Sequence, residues 1–156
     1  YQYDQDTGRV TDHWTANGLV RHQYTYTASG QVQTERLHNA VAGYTSRDRV
    51  ATYVYDSRGR VVTERLETIP ASVVLETRTA YDAFGRVASE TVENGATDLV
   101  TSFGYDQMNR LVATTAPNGA ITTNEYDLLG RMVRSVEPAR SVVSFGAAAS
   151  TQAPQA

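Results

Sequence analysis

Tyr55-Asp56-Ser57-Arg58-Gly59-Arg60-Val61 is the stretch that decides the fold. A tyrosine followed by aspartate opens a short turn, which closes on glycine and arginine. Close copies are Tyr81-Asp82-Ala83-Phe84-Gly85-Arg86-Val87, Tyr105-Asp106-Gln107-Met108-Asn109-Arg110-Leu111 and Tyr126-Asp127-Leu128-Leu129-Gly130-Arg131-Met132. Two looser copies precede them: Tyr3-Asp4-Gln5-Asp6-Thr7-Gly8-Arg9-Val10 and Tyr26-Thr27-Ala28-Ser29-Gly30-Gln31-Val32. The tyrosines at 3, 26, 55, 81, 105 and 126 are 23, 29, 26, 24 and 21 residues apart. That spacing is the signature of a repeat architecture.

Between the corners the chain alternates with a period of two. Leu99, Thr101, Phe103 and Tyr105 interleave with Val100, Ser102 and Gly104, which reads as a strand. The aspartate can cap its own turn by accepting backbone N–H groups. The last turn position asks for a left-handed backbone, so glycine fills it or, at Asn109, the next most tolerant residue. Arg110 to Thr115 extends again, and Asn118-Gly119 marks a second corner, as Asn17-Gly18 and Asn94-Gly95 do elsewhere. Each repeat is therefore two strands with a constant tyrosine corner at one rim and a variable corner at the other. Length variation falls at the variable rim, between Leu37 and Asp48 and between Glu67 and Ser72.

The tyrosine and arginine flanking one turn are expected to face each other, a contact worth about 0.5–1 kcal/mol when exposed. Stacked hairpins are expected to bring tyrosine near tyrosine. One face should carry Tyr53, Tyr55, Leu75, Tyr81, Phe103 and Tyr105 among Arg49, Thr77, Thr79 and Glu125. The other should carry Val54, Val62, Val74 and Val100 among Glu64, Glu76 and Arg78. Neither is the clean apolar stripe of a packed sandwich. The expectation is all-β: tandem antiparallel β-hairpins, about 12 strands, in one continuous curved or spiralling sheet, shell- or tube-like and on the order of 55–60 Å long.

Composition narrows the function. The 156 residues carry 14 basic and 17 acidic side chains, a net charge of -3 that argues against nucleic acid as a partner. Every basic residue is arginine, the cation that stacks on phenols and forks onto carboxylates. With no cysteine there is neither a disulfide nor a thiolate site. No stretch approaches the ~18 apolar residues of a membrane span. The chain opens at Tyr1 without a methionine or a signal peptide, so a processed product or a piece of a longer chain is expected.

No catalytic constellation emerges, and no cofactor or metal is implied. His13, His22 and His38 lack metal-ligand spacing and read as surface histidines without a carboxylate pair beside them. The serines lie in no nucleophile elbow, and glycine never forms a phosphate cradle. Asp4, Asp56, Asp82, Asp106 and Asp127 would line one rim about 10 Å apart, too far to share a calcium ion. Tyr24, Tyr26, Tyr53 and Tyr55 are the candidate glycan-stacking residues.

The turns from Tyr55 to Val61, Tyr81 to Val87 and Tyr126 to Met132 resemble in full the YD repeat of the RHS/YD-repeat family: Tyr-Asp, two variable residues, Gly-Arg and an aliphatic residue. Asn109 replaces the glycine in one copy, an extra residue lengthens the first, and Thr27 and Gln31 stand for Asp and Arg in the second. Bacterial Rhs toxins, the B and C components of Tc toxins, wall-associated proteins and teneurins are similar. The resemblance implies a hairpin ribbon spiralling into a hollow shell, which in the toxins encloses a toxic domain. It also implies a bacterial, secreted or cell-surface setting.

Residues 1–146 are expected to form the array, six repeats and a degenerate seventh. Val142-Val143-Ser144-Phe145-Gly146 echoes Val100-Thr101-Ser102-Phe103-Gly104, but Ala147-Ala148 stands where Tyr-Asp would be. Glu137-Pro138-Ala139-Arg140 reads as the turn before that strand, and residues 147–156 as a tail or linker. Open β edges at both ends would pair with other YD-repeat segments or with copies of the chain. Either a fragment of a long shell or a head-to-tail filament follows. The reading is a non-enzymatic structural module, with an adhesive module for glycans or a partner protein as the alternative.

Overall fold

The structure is a computed structural model, which describes residues 1–15, 18, 20–39, 48–69, 74–93 and 95–138. Twelve strands form one sheet: β1 (Gln2–Tyr3), β2 (Val10–Trp14), β3 (Val20–Tyr26), β4 (Val32–Asn39), β5 (Asp48–Tyr55), β6 (Val61–Ile69), β7 (Val74–Tyr81), β8 (Val87–Val92), β9 (Leu99–Tyr105), β10 (Leu111–Thr115), β11 (Ile121–Tyr126) and β12 (Met132–Val136). Their order in space is their order in sequence, and every neighbouring pair is antiparallel. The sheet is unclosed, and no helix occurs among the described residues. The all-β hairpin array expected from the corners is therefore present. The seventh strand (142–146) and the tail lie outside the described residues, as do Asn17, Asn94 and most of the two long variable corners.

The sheet has no second layer and hardly any core. Ala51, 8% exposed, is the only buried apolar residue among those described, and no side chain there is fully enclosed. Two of the three buried residues are charged, Asp12 and Asp48. Burial of apolar area, which in most proteins drives folding more than anything else, is here spread thinly over both faces.

Every tyrosine corner also carries a register shift that the alternation did not disclose. Tyr55 pairs with Val61 while Val54 pairs with Thr63, leaving Val62 as an extra residue. Equivalent shifts occur beside Tyr3, Tyr26, Tyr81, Tyr105 and Tyr126. A β-bulge bends its strand and sharpens the local twist. Six of them in phase along one rim give the sheet a periodic bend. The register also corrects the faces: Glu64 lies directly opposite Tyr53 and so shares the tyrosine face. Glu125, between Asn124 and Tyr126, points to the other face and pairs with Arg134.

Each close tyrosine corner is the same small device. The N–H of Asp56 donates to the Arg60 carbonyl (2.9 Å) and that of Gly59 to the Asp56 carbonyl (3.0 Å), with Gly59 at φ +79°. Asn109 takes the same left-handed backbone at φ +62°, alone among the described non-glycine residues. The Ala116–Ala120 corner repeats this pattern, with Gly119 N–H on the Ala116 carbonyl (2.9 Å) and only Gly119 left-handed. It is a longer loop than the two-residue turn that Asn-Gly suggests, since a type I′ turn needs both residues at positive φ.

The backbone distinguishes two glycines. Gly85 sits at φ +86°, where a side chain costs about 1–2 kcal/mol. Gly104 has an ordinary φ, and an added Cβ would meet Ala113, its Cβ at 3.2 Å and its backbone O and N at 3.8 and 4.0 Å. Gly85→Val should therefore lower the melting temperature clearly more than Gly104→Ala; equal, small shifts would contradict the turn geometry.

Candidate functional site

The repeated rim is the most elaborate constellation in the molecule. Asp56 Oδ1 accepts the N–H groups of Arg58 (2.9 Å) and Arg60 (3.0 Å), and Oδ2 accepts Arg60 Nε (2.8 Å). Asp82, Asp106 and Asp127 bind Arg86, Arg110 and Arg131 in the same way, with Nε–Oδ2 distances of 2.7 Å. The carboxylate thus caps the turn and aims the guanidinium. In the first copy Asp4 Oδ1 instead takes the N–H and hydroxyl of Thr7, both at 2.7 Å.

The aimed arginine does not cover its own tyrosine; it covers the next one. Arg60 lies 4.0 Å from the Tyr81 ring centroid, Arg86 4.6 Å from Tyr105, Arg110 4.8 Å from Tyr126 and Arg9 5.5 Å from Tyr26. Each of these four tyrosines, and Tyr55 as well, sends its hydroxyl back to the aliphatic residue of the preceding turn. Tyr81 donates to the Val61 carbonyl (2.9 Å), Tyr105 to Val87 (3.0 Å), Tyr126 to Leu111 (2.9 Å), Tyr26 to Val10 (2.7 Å) and Tyr55 to Val32 (2.6 Å). The expected contact within one turn is therefore replaced by a joint between repeats. The physical reason is the bulge register, which sets the tyrosine opposite the aliphatic residue and leaves the arginine directed along the rim. Tyrosine stacking on tyrosine from repeat to repeat is likewise absent among the described residues, because guanidinium groups occupy the intervening space.

Arginine also reaches the following turn's backbone. Arg110 Nη1 donates to the Asp127 carbonyl (3.1 Å), and Arg86 Nη1 to Asn109 Oδ1 (2.8 Å). The degenerate second copy preserves the logic with neutral groups. Thr27 Oγ1 accepts the Gln31 N–H (3.1 Å), and Gln31 Nε2 donates to the Gly59 carbonyl (2.8 Å). Arg60 Nη1 is the exception: it is buried without a partner, and it faces Gly85, where an added Cβ would stand 3.3 Å away. Asn109 thus supplies to Arg86 the acceptor that Gly85 does not supply to Arg60.

Two paired clusters on the face opposite the tyrosines escaped the sequence. Asp12 binds Arg21 (Nε 2.7 Å), whose guanidinium lies over Trp14. Buried Asp48 takes Arg36 Nε (2.9 Å), a second contact from Arg36 Nη2, and His38 Nδ1 (2.6 Å). On the tyrosine face His22 Nδ1 meets Glu35 at 3.0 Å. His22 and His38 therefore do have carboxylate partners, contrary to the expectation. These come from neighbouring strands and only the register reveals them. Burial pushes the Asp48 carboxyl up, but Arg36 and His38 outweigh it and hold it below its ordinary value.

Of the candidate glycan-stacking residues, Tyr26 and Tyr55 have their hydroxyls committed inside the sheet, and Tyr26 lies under Arg9. Tyr24 and Tyr53 are half-buried on the tyrosine face, their phenols pushed up by burial and then by Glu35 and Glu64. Beside them His22, Glu35, Leu37, Arg49, Ala51 and Leu66 line a shallow depression. No group of three or more His, Asp or Glu among the described residues is arranged to hold a metal ion.

Residues 81–123 match the family model described as RHS Repeat. In three dimensions the chain is similar to the Photorhabdus luminescens Tc holotoxin pore, with a TM-score of 0.68 at 15% identity. It is similar to the same degree to the TcdB2–TccC3–Cdc42 complex, with a TM-score of 0.68 at 14% identity. Both matches cover 82% of this chain but only 6% and 7% of those chains, so it spans a small part of their length. At such identities the likeness shows the fold alone. No curated protein matches the sequence.

Two outcomes follow from the joint. Gly85→Asn keeps a residue that tolerates left-handed backbone and offers Arg60 Nη1 an acceptor, so it should raise the melting temperature, whereas Gly85→Ala should lower it. The second concerns acid. Asp56, Asp106 and Asp127 are held below the ordinary 3.8 chiefly by the N–H of the arginine four residues on, with its guanidinium adding to the effect. At Asp82 burial pushes upward, but Arg86 prevails. The unfolded chain takes up these protons near pH 3.8, the folded one only lower, so the unfolded state binds more protons in that window. Stability is then complete above the window and falls as pH drops through it. The thermal midpoint should hold level down to about pH 5 and fall below about pH 4; a midpoint unchanged at about pH 2.5 would overturn the capping role.

Proposed function

We propose that this chain, which belongs to the RHS/YD-repeat family, is a non-enzymatic structural module: a segment of the wall of a larger β-assembly in an extracellular or cell-surface setting. The observation that carries this reading is the combination of a single-layer sheet with hardly any core and a joint repeated between successive hairpins. A sheet built this way grows by adding identical units and stacks them in one dimension. Both of its faces remain partly wet, as suits a wall with an inside and an outside. The family resemblance supports the shell form, in which the module is one stretch of a longer spiral that encloses a cargo domain. The elaborate part of the chain is spent on joining neighbours: the corner aspartates cap their turns, and Arg60, Arg86 and Arg110 each cover the next tyrosine.

Adhesion to glycans is the weaker reading, since two of its four tyrosines are occupied in joints. Small-angle X-ray scattering of the monodisperse protein separates the cases. A wall segment should scatter as a flat particle about 10 Å thick and about 50 Å across its strands. A thickness of about 20 Å, that of two packed layers, would displace the single-wall reading. Specific glycan capture abolished by Tyr53→Ala would favour adhesion.

A further inference from the structure

We propose that His13 and His22 form a binding site for one divalent transition-metal ion of the class that favours imidazole: zinc, nickel or copper(II). The site goes beyond the wall reading and does not depend on it.

The two histidines lie directly opposite each other on β2 and β3. Their ring centroids are 5.6 Å apart and their planes tilt by 36°. Zn–N bonds of about 2.0–2.1 Å at tetrahedral angles set two imidazoles on one ion about 5 Å apart, centroid to centroid. A small swing of either ring therefore brings both to a common ion. The pair is also braced from both sides: Tyr1 stacks on His13 at 4.4 Å and Tyr24 on His22 at 6.3 Å. Both histidines are half-buried, so they have less rotamer freedom to lose on binding.

Glu35 prepares one of the ligands. An ionised carboxylate only accepts, so its 3.0 Å contact places the proton of His22 on Nδ1. Nε2 then keeps the free lone pair. A carboxylate behind a ligating imidazole fixes its tautomer and raises its basicity. Glu35 thus serves the histidine and not the ion, consistent with the lack of a three-ligand cluster among the described residues. Water from the wet tyrosine face completes the coordination.

The local field favours a cation. Arg21 and Arg36 lie on the opposite face, tied to Asp12 and Asp48. Apart from the histidines, Glu35 is the only charged side chain that β2, β3 and β4 place on the tyrosine face. Arg49 is separated from His22 by Leu37, two strands and about 10 Å away. An ion here would clip β2 to β3 beside the second corner, where Thr27 and Gln31 replace the aspartate and arginine of the close copies. The array would gain a fastening where its charged rim pair is missing.

The test uses the untagged full chain, with zinc as the probe in isothermal titration calorimetry and thermal melts. Zinc should bind saturably, one ion per chain, and raise the melting temperature. Calcium, which prefers oxygen ligands, should do neither. Glu35→Ala should weaken zinc binding about 10–100-fold, and His13→Ala or His22→Ala at least as much. His38→Asn, on the opposite face, should leave it unchanged. Zinc affinity that ignores both His13→Ala and His22→Ala would overturn the proposal, as would calcium binding of equal strength. So would an absence of saturable zinc binding by protein whose circular dichroism shows the sheet intact. Should a substitution unfold the sheet, paramagnetic resonance of copper(II) on the native chain decides. Coupling to two imidazole nitrogens, retained in His38→Asn, supports the site; coupling to one or none rules it out.

Discussion

The fold depends on a phenol ring held between two repeats. Its face lies under the arginine of the preceding turn, and its hydroxyl ends on the carbonyl beside that arginine. A single-layer sheet this wet cannot draw its order from a packed interior. Backbone ladders alone would tolerate slips of register, which move every side chain to the other face. The joint removes that freedom, because a strand displaced by one residue loses the stacked ring and the hydroxyl bond together. Asp, Gly and Arg serve the same end from within the turn: one caps and aims, one bends, one reaches across.

The two rims then divide the labour. The tyrosine rim repeats almost identically and contains the bulges, so bend and register are both set there. The opposite rim varies in length from the five-residue corner at Ala116–Ala120 to the long connection after Asn39. Where the rim motif weakens, neighbouring side chains compensate. Gln31 substitutes a neutral hydrogen bond for a charged one, and Asn109 adds an acceptor that glycine cannot offer. The ion pairs Asp12–Arg21 and Asp48–Arg36 lie in strands next to the second, degenerate corner.

Much of this was legible in the sequence because it is local. Turn capping by aspartate and the left-handed glycine or asparagine act within five residues, so Tyr55 to Val61 states them outright. The alternation of β9 and the spacing of the corners were enough for an antiparallel hairpin array. What could not be read was whatever depends on how one strand lies against another. The extra residue Val62, the partner of Arg60, and the carboxylates beside His22 and His38 are all set by register. Adjacent residues carry no mark of it, and the Asn118-Gly119 pair even suggested a shorter corner than the one formed. Knowing that the tyrosine pairs with the aliphatic residue would have exposed the bulge, and with it the true direction of the arginine.

The sequential strand order has a consequence for how such a chain comes into being. Among the described residues each strand meets only its predecessor and its successor, so no strand pairing there waits for a distant part of the polypeptide. The arginine half of every joint belongs to the earlier repeat, and the tyrosine half to the later one. A chain emerging from the ribosome therefore presents a finished receptor before the residue that fills it has been made. The topology permits vectorial assembly, since each new hairpin can dock on a template already in place.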